Sequence, residues 1–272
     1  GNTLLNDAGF DYLADPKAIL KGRIIVFAAF AVYSLVKEFI PQLGLALVIV
    51  FLGVLPWLVI RALSFNARNS THRNVRFGFQ AGYLETSSFL TIPVFLVPLT
   101  LGLIYPYYVY RKKKFFLEHS TYGNTPFTFG ATAGAYYGVY FRVAMMFLLF
   151  LTGSIVTVGI GAIPLYLLFA AYRDGAVARL TWNNTTLAGM PFTWNWRTGE
   201  LFTLYFVNSL AIIATVGLLV PWAAVRTVRY QLERLTIHAN AAELDSFLAN
   251  AQAQVGATGD EAADLLGFDF GL

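Results

Sequence analysis

Polar clusters cut the chain into apolar runs of two lengths. The long runs, residues 22–60 and 134–172, hold about 39 residues each, and the short ones, residues 83–110 and 201–225, hold 25 to 28. A helix needs about 20 apolar residues to cross a hydrocarbon core, so each long run fits two helices. In the first the break is predicted at Lys37-Glu38-Phe39-Ile40-Pro41-Gln42, where charge and proline interrupt the run. In the second it is predicted near Thr152-Gly153-Ser154. Each short run reads as one overlong helix or as a tight hairpin turning at Thr100-Leu101-Gly102 and Thr215-Val216-Gly217.

The runs share an internal signature. Pro56, Pro106, Pro164 and Pro221 each follow a glycine, Gly53, Gly102, Gly161 and Gly217, by three or four residues, and are expected to open basic or aromatic helix ends. A polar pair then follows (Asn69-Ser70, His119-Ser120, Asn184-Thr185), and Asn2-Thr3 opens the chain. After each pair comes an aromatic doublet: Phe10 and Tyr12, Phe77 and Phe79, Phe127 and Phe129, Phe192 and Trp194. The doublets recur after 117 residues (Phe10 to Phe127) and after 115 (Phe77 to Phe192). The larger unit is therefore a long pair plus a short pair, present twice, and a unit with an even number of crossings repeats in parallel orientation. The segments between the pairs and the doublets are short, polar and β-rich, so they are expected to form small hairpins that pair with one another or with a partner.

Charge chooses between one helix and a hairpin in the short runs. If every run is a hairpin, 18 of the 19 Lys and Arg fall on one side, with only Lys37 opposite. Basic residues gather in cytoplasmic loops. Hairpins throughout give about eight embedded helices with both termini cytoplasmic. At about 16 residues per helix the short pairs barely span, and re-entrant segments are tolerable only when packed against the longer helices.

Composition agrees with this picture. The chain is 57% hydrophobic and 12% charged, with a mean hydropathy of +0.59, against about 25% charged residues in soluble domains. There is no cysteine, which excludes disulfides and thiolate chemistry. The start of the chain carries no basic n-region followed by a short apolar stretch. From His238 onward the tail has six acidic residues and no Lys or Arg, which fits a surface helix or a disordered tail. The expected organisation is repeat 1 at residues 1–126, repeat 2 at 127–237 and an acidic cytoplasmic tail at 238–272. The expected fold class is an all-α polytopic membrane protein with small β-hairpins on its cytoplasmic face.

Several stretches carry a family resemblance: Asp15-Pro16-Lys17-Ala18-Ile19-Leu20-Lys21-Gly22-Arg23, Pro56-Trp57-Leu58-Val59-Ile60-Arg61-Ala62 with Phe65-Asn66-Ala67-Arg68-Asn69, Leu99-Thr100-Leu101-Gly102-Leu103-Ile104-Tyr105-Pro106, and Val220-Pro221-Trp222-Ala223 with Arg226 and Arg229-Tyr230. Over nearly its whole length the chain resembles the YjgN-like family of uncharacterised bacterial inner-membrane proteins. The resemblance implies a bacterial cytoplasmic-membrane location and no assigned activity. It also implies a membrane metallopeptidase as a possible partner. Members of that family begin with a further short pair carrying its own Leu-Gly-x-Tyr-x-Pro-Trp block, so this chain reads either as a shortened member or as a piece of a ten-helix protein.

Charges at membrane depth are costly and are the place to look for chemistry. Glu85 and Glu200 each lie eight residues after Phe77 and Phe192, at the start of a short pair, on the same side as the returning Arg111 and Arg226. They read as two symmetry-related Glu-Arg sites on a polar pocket or solute path, or as acids complementing helix dipoles beside interfacial arginines. Asn208 bonds a neighbouring helix or binds solute. Arg23 and Arg142, Arg61 with Trp57, Lys112 and Lys113, and Trp222 fit anionic lipid headgroups, an aromatic belt or a topological signal. No sequence motif for a hydrolase, a phosphate loop or a metal site is present, and His72, His119 and His238 lack ligand spacing, so neither enzyme activity nor a cofactor is expected.

The expected function is a non-catalytic scaffold or partner subunit of an envelope complex that holds lipid, with a channel or carrier for a small solute as the alternative. Deep polar groups are scarce, with Asn208, Ser34 and Thr157 nearly the whole supply. The expected partners are anionic lipids, a membrane protein or a second copy, and not nucleic acid.

Overall fold

Pro41 and the left-out amide it implies divide the first long run where the sequence predicts. In the computed structural model, α1 (Pro16–Phe39) stops one residue short of α2 (Pro41–Arg68), whose first position is the proline. Proline suits a helix start because its missing N–H has no intrahelical partner there. The structure describes residues 4–5, 8–12, 16–72, 75–156, 162–239, 247 and 249; the tail lies almost wholly outside them.

Pro56 lies inside α2, toward its basic end, as the run 22–60 with its break at residues 37–42 implies. A proline within a helix removes one backbone hydrogen bond and crowds the preceding turn. Here the Tyr83 hydroxyl donates to the Gly53 carbonyl at 2.5 Å, giving that turn a partner from another helix. The second long run differs from expectation. α5 (Ala133–Val156) continues through Thr152-Gly153-Ser154, and α6 (Ala162–Trp182) begins beyond it. Thr152 is accommodated because its hydroxyl bonds back to the Leu149 and Leu148 carbonyls at 3.0 and 3.2 Å.

Among the described residues eight helices alternate in pairs with short strands. α3 (Tyr83–Leu99) and α7 (Thr198–Ala214) have 17 residues each, and α4 (Tyr105–Glu118) and α8 (Val220–Glu233) have 14 each. The duplication extends to the backbone. Leu101 and Gly102 have φ of 50° and 83°, and Val216 and Gly217 have 50° and 90°. In both places the glycine amide donates to a carbonyl five residues back at 2.8 Å, Val97 and Ile212, closing a C-terminal cap of Schellman type. The predicted turns thus end α3 and α7.

The chain folds as two units, residues 1–102, 118–127 and 241–272, and residues 103–117 and 128–240. In the first, α2 packs on α1, α3 and β4. Strands β1 (Leu4–Leu5), β2 (Ala8–Tyr12), β3 (Ser70–His72), β4 (Val75–Phe79), β5 (Ser120–Tyr122) and β6 (Thr125–Phe129, which belongs to this unit up to Phe127) pair antiparallel in chain order. The Phe77 and Phe79 doublet is registered against Tyr122 and Ser120. The expected hairpins thus pair with one another through their edges. In the second unit, α6 packs on α5 and α7, and α7 on α8. There β7 (Thr185–Leu187), β8 (Met190–Trp194) and β9 (Leu235–Ile237) form an antiparallel meander.

Among the described residues two helical stretches are long and apolar enough to cross a membrane, Ala46–Arg68 and Ala133–Gly153, with only 6% and 11% of their apolar windows buried. That is fewer than the eight embedded helices expected. At 1.5 Å per residue, α3 and α7 reach about 26 Å, short of a hydrocarbon core of about 30 Å.

Candidate functional site

Glu200 stands in the first turn of α7, and the next helix folds back along it. The α7–α8 hairpin brings one stripe of α8, Arg226, Arg229, Tyr230, Glu233 and the C-capping Arg234, to face it across an open groove of about 550 Å³. These positions follow the three- and four-residue steps of one helix face. Glu200 Oε2 is ion-paired with Arg234 and accepts from the Tyr230 hydroxyl at 3.4 Å, while Oε1 lies 3.8 Å from Arg197. The Arg234 guanidinium sits 4.9 Å from the centre of the Tyr230 ring, and burial pushes the Tyr230 hydroxyl above its ordinary pKa.

Arg226 takes a different partner from the one the spacing suggests. Its Nη1 donates to Asn208 Oδ1 at 3.2 Å, and its guanidinium lies 5.3 Å from the centre of the Trp222 ring. Asn208 is 6% exposed. Its amide donates to Thr227 Oγ1 at 3.2 Å and to the Ala223 carbonyl at 3.4 Å, tying α7 to α8. Glu200, Arg226 and Asn208 are thus brought to one hairpin, with the acid and the arginine in separate hydrogen-bonded groups.

Glu85 shows the same plan in the first unit. Its Oε2 is 3.0 Å from His119 Nε2. Glu85 and His119 are 34 residues apart, as are Glu200 and Arg234. In each copy the acid is the third residue of a 17-residue helix, and its basic partner directly follows the last residue of a 14-residue helix. Arg111, the cation expected for Glu85, belongs to the second unit and is exposed on α4. His119 and Arg234 were legible only as loop residues, although their equal distance from the two glutamates was a usable signal.

The headgroup candidates scatter over the helices. Arg61 lies 5.6 Å from the centre of the Trp57 ring, as Arg226 does over Trp222; both are pairs four residues apart on one helix. Arg142 and Lys112 are exposed and Lys113 is half-buried. Burial, then Lys112, push the Lys113 ammonium below its ordinary pKa, against the pull of Asp174. The side chain of Arg23 lies outside the described residues. A further polar group had no counterpart in the sequence reading: Asp174 on α6 accepts from Arg173 Nε at 2.8 Å and from the Tyr205 hydroxyl at 3.0 Å. That bond raises the Arg173 pKa against the effect of burial. The adjacent Arg173-Asp174 pair reads as an ordinary helix-end charge until α7 places Tyr205 beside it. No group of three or more His, Asp or Glu able to hold a metal occurs among the described residues.

The chain matches the family described as bacterial protein of unknown function (DUF898) over residues 1–164 and 153–265. It belongs to that family. No curated protein and no solved structure matches this DUF898 chain.

Asn208 provides a test of how the DUF898 hairpin is held. Asn208→Leu keeps the volume but strips the donors to α8 and leaves the Arg226 guanidinium without that acceptor. A loss of about 1–3 kcal/mol is expected from unsatisfied polar groups in such a place. Thermal unfolding in detergent measures it, and an unchanged midpoint would show that the α7–α8 contact does not depend on this network.

Proposed function

We propose that this chain is a multi-pass protein of the bacterial cytoplasmic membrane, YjgN-like in kind, with both termini cytoplasmic. It is a non-catalytic scaffold or partner subunit that holds anionic lipid along its basic helix ends. The observation that carries this reading is the exposure of its apolar helices. The core helix of a soluble domain buries its apolar stripe, whereas only 6% and 11% of the apolar windows of the two long stretches here are buried, as in lipid-facing helices.

The Trp57–Arg61 and Trp222–Arg226 pairs support the lipid part, since aromatic rings beside cations belong at headgroup level. The short apolar α3 and α7 then enter the membrane without crossing it alone, packed on longer neighbours. A non-catalytic role is favoured by the chemistry present: the candidate groups are cations and carboxylates paired with one another rather than a nucleophile beside a base.

The test is purification from the native membrane in mild detergent, with mass spectrometry of what accompanies the chain. Acidic phospholipid is expected at a fixed ratio to protein and enriched over the bulk membrane. A chain carrying lipid at bulk composition and no protein partner would move the weight to a channel or carrier, with Glu85 and Glu200 the first residues to change in a flux assay.

A further inference from the structure

We propose that the α7–α8 groove binds a phosphate monoester, with Glu200 as the internal counter-ion that the phosphate displaces. Three guanidinium groups, Arg226, Arg229 and Arg234, line this groove against two carboxylates, Glu200 and Glu233. Guanidinium forks match carboxylate and phosphate oxygens alike. The carboxylate of Glu200, paired with Arg234 and near Arg197, therefore marks where an outside anion would bind. A monoester carrying close to two charges at neutral pH outcompetes a single carboxylate for these cations. Arg229 has no hydrogen-bond or ion-pair partner among the described residues, and its exposed position leaves it available as a second anchor.

The internal duplication supplies an independent argument. At the same spacing of 115 residues that separates Phe77 from Phe192, Arg226, Arg229, Glu233 and Arg234 correspond to Arg111, Lys114, Glu118 and His119, and Glu200 corresponds to Glu85. The charge pattern of the stripe recurs in both copies while other positions of the hairpin differ: Trp222 aligns with Tyr107, and Asn208 with Pro93. Helix geometry alone requires none of these charges. Beside this stripe α8 exposes Val225 and Val228, so in a membrane the helix would lie with these valines in lipid and its cations at headgroup level. The choice of a lipid as the carrier of the phosphate rests on the membrane reading above; the phosphate site itself does not.

The test uses the full chain in detergent. Calorimetry with inorganic phosphate and native mass spectrometry with short-chain phosphatidic acid, phosphatidylglycerol and phosphatidylcholine read the binding. Saturable binding of inorganic phosphate identifies a free anion as a ligand, and binding of phosphatidic acid alone, ahead of the two diesters, identifies the lipid. Arg229→Gln is expected to weaken binding about tenfold, the scale of one charge-assisted hydrogen bond, and Glu200→Gln to tighten it by removing the competitor. Arg76→Gln, exposed on β4 in the other unit, should leave it unchanged. Arg229 holds no structural partner among the described residues, so its variant separates binding from folding even if Glu200→Gln unfolds. No saturable binding of any of the probes, or equal affinity for Arg229→Gln and the parent, would overturn the proposal. Resistance of the chain to alkaline extraction, measured on the same membranes, reports on the membrane reading separately: a chain that stays embedded but binds no phosphate defeats this site alone.

Discussion

Phe51→Arg is expected to reduce stable membrane integration sharply. Phe51 is 55% exposed on α2, within the crossing stretch Ala46–Arg68. It lies ten residues from Pro41 and ten from Arg61, about 15 Å in either direction at 1.5 Å per residue. That is farther than an arginine side chain snorkels, so the guanidinium would lie in hydrocarbon at a cost of about 2.5–3.5 kcal/mol. The same exposed residue on a water-facing helix would tolerate arginine within about 0.5 kcal/mol. The two environments therefore give opposite results. The measurement is the fraction of chain that resists alkaline extraction from membranes, with Phe51→Leu as the control. Equal resistance of the arginine and leucine variants would show that α2 does not place Phe51 in lipid, and the multi-pass reading would fall with it.

What the sequence made legible was whatever depends on local chemistry. Proline at the start of α2, the glycines of positive φ after α3 and α7, and the aromatic strands are each fixed within a few residues, and each was read at its place. What it hid depends on how distant segments meet. Pro56 was read near a basic helix end, where it stands in α2, but the donor to the turn it disturbs, Tyr83, lies on another helix, thirty residues beyond the Gly53 carbonyl that accepts. Glu200 was paired with the nearer Arg226 because both sit at the ends of one apolar run. In the fold, Asn208 takes Arg226 and the helix cap brings Arg234 to the acid. The groove was therefore half legible: its residues stood in one repeat, while their pairing needed the hairpin. Asp174 was missed altogether because its partner Tyr205 lies on another helix.

Trp194→Ala is expected to remove most of the stability of the second unit. Trp194 ends β8 at 2% exposure, and Ala171 of α6 with Leu201 and Leu204 of α7 closes around it. Its indole N–H donates to the Gln231 carbonyl of α8 at 3.0 Å, and its backbone N–H donates to Asn183 Oδ1 at 2.8 Å. One ring thus joins the sheet to three helices, with Trp196 stacked 6.5 Å away. Truncating a buried tryptophan costs about 3–5 kcal/mol, a large share of the roughly 5–15 kcal/mol that holds a domain folded. Trp194→Phe keeps a ring in the cavity and loses the indole donor, so its cost should be smaller, about 1–3 kcal/mol for the carbonyl left unpaired. The order expected in thermal unfolding is parent, Trp194→Phe, then Trp194→Ala, and a loss below about 1 kcal/mol for the alanine variant would contradict the packing described. Because Gln231 lies on the helix that carries Arg226, Arg229 and Arg234, the alanine variant should lose phosphate binding together with stability. Arg229→Gln should lose binding with stability intact, and that contrast separates the residues that hold α8 in place from those that α8 presents.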